Sequence, residues 1–214
     1  MKNIMIFGDS YSTHKNVIPE GYNAFYCDGG REEGPAVTNM RMEDTWWHKF
    51  ILYANYNLVR NDSWSGSTIG YTGYDNADCS QTSSFIYRYR KLKTNGFFEK
   101  NKVDTIIVFG GTNDSWCGAL LGDMQFSDWE EKDLFKVLPA ICYFAYTLKK
   151  DLPDVEIVFI VNTGLKEEIV NCIEAVAKLY EFKSIRLENI SKEDGHPTSK
   201  GMIEISEQII KALA

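Results

Sequence analysis

Five short apolar, strand-forming runs recur along the chain, at residues 3–7, 57–64, 105–109, 155–161 and 184–187. Between them lie longer stretches whose apolar positions repeat at helical spacing. This alternation restricts the fold more than any other feature. Strands separated by crossover helices pair in parallel, so the pattern predicts βαβ units on one sheet. Helices are expected over residues 46–53, 83–98, 166–180 and 199–213. Another should open at Ser127, followed three residues on by Glu130 in capping-box form, with Pro139 kinking or splitting it. Residues 8–42 carry no such period and are rich in Gly, Tyr and Asn. A loop of that length inside a compact domain usually serves function. With no linker composition and no internal repeat, residues 1–214 read as one domain.

Composition narrows the function. Hydrophobic residues make up 44% and charged residues 25% of 214, the balance of a globular domain with a real core. Thirty acidic against 23 basic residues give a formal charge of −7, the wrong sign for a nucleic-acid partner. The five cysteines include no CxxC pair, and the three histidines show neither HxH nor HExxH spacing, so reduced thiols and no metal site are expected. The first apolar run ends at Phe7, too short for a signal-peptide core. No stretch approaches the roughly 20 apolar residues of a membrane span. A soluble, cytoplasmic protein without a membrane partner is the expectation. Aromatic residues, at 14%, exceed what a core of this size requires.

Four segments that follow strand ends carry groups suited to acyl transfer. In an open parallel sheet the carboxyl ends of the strands line one crevice, so groups distant in sequence converge there. Gly8-Asp9-Ser10 presents a hydroxyl and a backbone N–H at a strand-to-loop turn. Ser65-Gly66-Ser67 offers an N–H that no Cβ screens, and Gly110-Gly111-Thr112-Asn113-Asp114 offers an amide able to donate to an oxyanion. Each alone is also an ordinary turn. Glu193-Asp194-Gly195-His196-Pro197 puts a histidine in a polar, extended loop with acids beside it, which makes His196 the best general base. His48 lies in an aromatic helix and reads as packing. Asp9 and Asp114 read as carboxylates that structure their loops.

In order and over nearly the whole chain, these segments resemble the blocks of the SGNH, or GDSL-type, hydrolases. The resemblance implies a three-layer flavodoxin-like sandwich with five parallel strands ordered 2-1-3-4-5 and helices on both faces. It implies Ser10 as nucleophile, His196 as base, and an oxyanion hole from Ser10, Gly66 and Asn113, with no cofactor. It departs from the family pattern at one position. Glu193, not Asp, stands three residues before His196, and Asp194 stands two before. Three groups can therefore orient the ring: Glu193 by position, Asp194 through a tighter turn, or a backbone carbonyl in a Ser–His dyad.

The loops after the strand ends hold many of the surplus rings, and Tyr11, His14, Trp64, Tyr71 and Trp116 are the expected substrate contacts. Rings with polar edges suit sugar faces, although they also pack loops together. The reading is a serine ester hydrolase for short-chain, acetyl-type esters, including esters of carbohydrates. An acyltransferase, a lipase or thioesterase, and a non-catalytic carbohydrate-binding protein are the alternatives.

Overall fold

The apolar runs become strands β1 (Asn3–Gly8), β2 (Asn57–Ser63), β3 (Thr105–Phe109), β4 (Glu156–Val161) and β5 (Lys183–Arg186) in a computed structural model that describes residues 1–31 and 33–213. They form one parallel sheet in the order β2-β1-β3-β4-β5. Among the described residues seven α-helices accompany it: α1 (Trp46–Ala54), α2 (Phe85–Thr94), α3 (Phe97–Lys100), α4 (Thr112–Trp116), α5 (Val137–Asp151), α6 (Glu167–Tyr180) and α7 (Ser199–Leu213). Successive strand residues point to opposite faces, and here both faces are covered. Met5, Phe7, Ile106, Val108, Ile157 and Phe159 belong to the core shared with α2, α5 and α6. Their neighbours Ile4, Ile6, Ile107, Phe109, Val158 and Ile160 belong to the core shared with α1 and α7. The result is the expected flavodoxin-like three-layer sandwich. Among the described residues, no helix is long and apolar enough to cross a membrane.

Two helices differ from expectation for local reasons. The segment 83–98 breaks in two because Gly96 adopts a left-handed conformation (φ 67°) between α2 and α3. Ser84 caps α2 by accepting from the Tyr87 N–H at 3.2 Å. No helix opens at Ser127. The reciprocal cap belongs instead to Glu130 and Asp133 and starts only a 3-10 turn, Glu131–Phe135. α5 begins later, at Val137, so Pro139 falls in its first turn, where a missing N–H breaks no intrahelical bond. The two N–H groups before it donate to the carbonyls of Leu120 and Leu121, at 2.9 and 2.8 Å. Pro139 is therefore accommodated in the first turn and does not split the helix.

The chain leaves β1 for β2 on one side and then returns to place β3 on the other. The sheet's switch point lies between these two strands, where a crevice opens beyond their carboxyl ends. Beyond that edge a small antiparallel hairpin, β6 (Lys192–Glu193) and β7 (His196–Pro197), lies outside the main sheet. Neither it nor α4 was expected from the sequence.

Candidate active site

Close packing at the end of β1 sets the position of Ser10. A Cβ on Gly8 would collide with the side chains of Ser63 and Ser12, so only glycine lets the strand end between them. The next residue, Asp9, is fully buried and accepts the Tyr11 N–H at 3.0 Å, capping the 3-10 turn Ser10–Ser12. Burial pushes the Asp9 carboxyl up to about 7. Ser10 itself is 3% exposed, and its backbone N–H donates to no acceptor among the described residues.

His196 reaches Ser10 from the hairpin. Asp194 (φ 46°) and Gly195 (φ 75°) form its two-residue turn, both in the left-handed region that such tight turns require. The His196 Nε2 lies 3.0 Å from Ser10 Oγ, and Nδ1 lies 3.1 Å from the Asp194 carbonyl oxygen. A carbonyl only accepts, so Nδ1 carries the proton and Nε2 is left to accept from the serine. The ring's partner is thus backbone, and neither the Glu193 nor the Asp194 carboxylate bonds to it. The tight turn curls the Asp194 carbonyl back under the imidazole, while Glu193 stays exposed on the outer strand. Of the three groups considered for orienting the ring, the Asp194 carbonyl is the one within hydrogen-bond distance of Nδ1, and Glu193 is not.

Aromatic side chains hold this geometry. Phe25 stacks on the imidazole with centroids 3.7 Å apart and planes 7° from parallel. The Tyr11 hydroxyl donates to the Gly195 carbonyl and the Tyr26 hydroxyl to that of Pro197, the latter at 2.9 Å. Burial raises the pKa of both phenols, which keeps them protonated as donors. Burial also lowers the pKa of His196, helped by the cations of Lys192 and Arg31 against the opposing Asp194 carbonyl and carboxylate.

Two further donors come from the next loops. Gly66 is exposed with φ 83°, and its N–H has no acceptor among the described residues. Asn113, on α4, donates one Nδ2 hydrogen to Ser67 O at 2.9 Å and accepts the Tyr74 hydroxyl on Oδ1 at 2.8 Å, which leaves its second amide hydrogen unpaired. Asp114 ties the same loops by accepting from the Ile69 and Gly70 N–H groups, and burial pushes its carboxyl up to about 6. Arg88 connects everything from below. Fully buried, it pairs with Asp62 at 2.6 Å and donates to Gly8 O and Ser67 Oγ, both at 3.2 Å. Sequence pattern offers no signal for Arg88, since an arginine on an amphipathic helix reads as surface.

The expected substrate contacts separate into two groups. Tyr11 is buried under the hairpin, His14 is buried with Nε2 3.1 Å from Met40 O, and Tyr71 is buried with its hydroxyl accepting from Arg90 at 2.6 Å. These three support loops and do not line the mouth. Trp64 is half-buried against Tyr22, ring centroids 4.3 Å apart. Trp116 is 43% exposed with its ring 6.2 Å from that of His196, which makes it the most exposed of the five expected contacts. A cavity of about 730 Å³ has Lys15, Tyr22, Asn23, Arg31 and Ser65 in its wall; Ser10, His196 and Trp116 do not line it, and Ser65 joins it to Gly66 along the chain.

A serine and histidine paired at the switch point of a flavodoxin-like sheet, with unpaired amide donors on the neighbouring loops, is the layout of the SGNH-type hydrolases. The chain belongs to the GDSL-like lipase/acylhydrolase family, whose model matches residues 2–213. It is similar to the crystal structure of a Bacteroides ovatus ATCC 8483 protein assigned to the GDSL-like lipases, at 41% identity and TM-score 0.89 over 100% of this chain and 98% of that one. A Bacteroides uniformis ATCC 8492 protein assigned likewise shows 38% identity and TM-score 0.90 over 99% and 95% of the two chains. A family two carbohydrate esterase from Cellvibrio japonicus shares the fold at 14% identity and TM-score 0.64, over 99% of this chain and 60% of that one. Among curated proteins, none matches the chain significantly.

Proposed function

We propose that the protein is a serine ester hydrolase that works through an acyl-enzyme on short-chain esters of polyhydroxylated alcohols such as sugars. The observation that carries this reading is the 3.0 Å contact between Ser10 Oγ and His196 Nε2 beside N–H donors with no acceptor among the described residues. His196 takes the hydroxyl proton as Ser10 Oγ bonds to the ester carbonyl carbon. The oxyanion receives hydrogen bonds from the Ser10 and Gly66 N–H groups and the free Asn113 amide hydrogen. Collapse breaks the bond to the alcohol oxygen, which leaves with the proton from His196. Water, deprotonated by the same histidine, then releases the acid and restores Ser10.

A polyhydroxylated alcohol fits because the nearby cavity wall carries Lys15, Asn23, Arg31 and Ser65, whose polar groups can bond its hydroxyls and make a poor host for a lipid-like ester. The exposed Trp116 offers a flat face to a sugar ring. The test is a series of acetyl, butyryl and octanoyl aryl esters with acetylated sugars, hydrolysed by wild type and Ser10→Ala. Wild type should favour acetyl, and Ser10→Ala should lose turnover while keeping its circular dichroism and thermal unfolding. Hydrolysis that survives the substitution overturns the nucleophile, and a preference for octanoyl overturns the substrate class.

A further inference from the structure

The cavity beside the nucleophile has a charge that runs against the molecule. The chain carries a formal −7, yet Lys15 and Arg31 both line this wall and no acidic residue does among those described. Neither cation forms a salt bridge within 4.0 Å among the described residues, whereas Arg41, Arg60, Arg88 and Arg90 each have a carboxylate partner. Among the described residues, no carboxylate takes up the donors of either side chain.

Contacts place this wall next to the reacting atoms. The Arg31 guanidinium lies 5.8 Å from the Phe25 ring centroid, Phe25 stacks on His196 at 3.7 Å, and His196 meets Ser10 at 3.0 Å. On the opposite side Ser65 precedes Gly66 in sequence, and its N–H holds Asn23 O at 2.8 Å, so one wall of the cavity continues into the oxyanion loop. A volume of about 730 Å³ far exceeds an acetyl group and suits the alcohol half of an ester. Asn23 and Ser65 supply neutral partners for hydroxyls. Arg31 and Lys15 supply a planar fork and a point charge for an oxyanion.

We propose that this cavity is an anionic-group subsite, and that the preferred substrates are acyl esters of acidic sugars, whose carboxylate or sulfate is taken by Arg31 and Lys15. The inference rests on the esterase reading for its substrate, but the subsite can be tested by binding alone. In one arm, kcat/KM is compared for matched monoacetates of a methyl glucuronide, its neutral methyl glucoside counterpart and a sulfated glucoside. The acidic esters should be favoured about tenfold or more, the range of a charge-assisted hydrogen bond, with the gain in KM. That ratio should shrink as NaCl is raised from about 0.01 M to about 1 M, which shortens the Debye length from about 30 Å to about 3 Å, and collapse in Arg31→Gln/Lys15→Gln.

Reading the ratio within each variant cancels any general change in rate. Which of the two acidic esters gains more identifies the anion. Equal kcat/KM for acidic and neutral esters in wild type overturns the subsite, as does a preference that the double variant retains. In the second arm, calorimetry measures glucuronate and glucose binding to wild type and the double variant. If no ester is turned over, the esterase reading fails, and this arm decides the subsite alone. Glucuronate binding that the double substitution abolishes supports it, and glucuronate that binds no better than glucose overturns it.

Discussion

In the proposed mechanism, His196 serves as a base only while its imidazole is neutral. Burial disfavours the imidazolium, Lys192 and Arg31 disfavour it further, and the Asp194 carbonyl and carboxylate oppose them without prevailing. The pKa therefore falls below the ordinary 6.5, and protonation removes the base only at lower pH. The acid limb of kcat/KM should have its midpoint below pH 6.5. In Arg31→Gln one repelling cation is gone, so the midpoint should move upward. Profiles on a neutral aryl acetate check both, and a wild-type midpoint above 6.5 contradicts the assignment. The orienting group gives a second prediction. Because Nδ1 meets the Asp194 carbonyl, Glu193→Ala should change kcat by no more than about threefold, far from the ~10⁴-fold loss that follows when a triad carboxylate is replaced. A loss of that larger size in stopped or continuous assays would return the role to Glu193.

At the scale of the element, the hairpin that carries His196 has only two residues in each strand. It has little stability of its own and depends on what holds it. The Tyr11 and Tyr26 hydroxyls do so from the loop between β1 and α1, and Tyr26→Phe should leave the Pro197 carbonyl without that donor. The expected stability loss is about 1–3 kcal/mol by urea unfolding. The larger effect should be on kcat, down about 10- to 100-fold with KM little changed, because a small displacement of the base spoils its approach to Ser10. Unaltered kcat would mean that the hairpin is held without Tyr26.

The same element explains what was legible in the sequence. β1, β3 and β4 were readable because five or six consecutive apolar or small residues leave few alternatives to a strand buried on both faces. The segments bearing Ser10, Gly66, Asn113 and His196 could be singled out as candidates for the same reason, since each follows a run read as a strand. Two-residue strands have no period, so β6 and β7 were invisible. The partner of His196 is a carbonyl, which no residue letter specifies. Phe25 reaches the imidazole only because the long loop folds back over the sheet edge, and nothing local in its sequence encodes that return.

Across the whole molecule, the carboxyl edge of the sheet places charge where solvation is poorest. Burial raises Asp9 from 3.8 to about 7 and Asp114 from 3.8 to about 6, and the Asp114 charge further disfavours ionisation of Asp9. In the unfolded chain both ionise near 3.8, so between there and about 7 the native state holds more protons than the unfolded one. Stability from these groups is then complete below the unfolded value and declines as pH rises through the folded values. The net charge of −7 acts in the same direction through general repulsion, so the wild-type curve alone cannot isolate Asp9. The difference from Asp9→Asn can. Asparagine keeps an oxygen to accept the Tyr11 N–H and removes the buried ionisation. Urea midpoints should coincide for the two proteins near the unfolded carboxyl value of 3.8 and diverge as pH rises. Above about pH 7, Asp9→Asn should be more stable by about 4 kcal/mol. Parallel curves across that range would show that Asp9 ionises alike in both states, and that a polar neighbour relieves its burial.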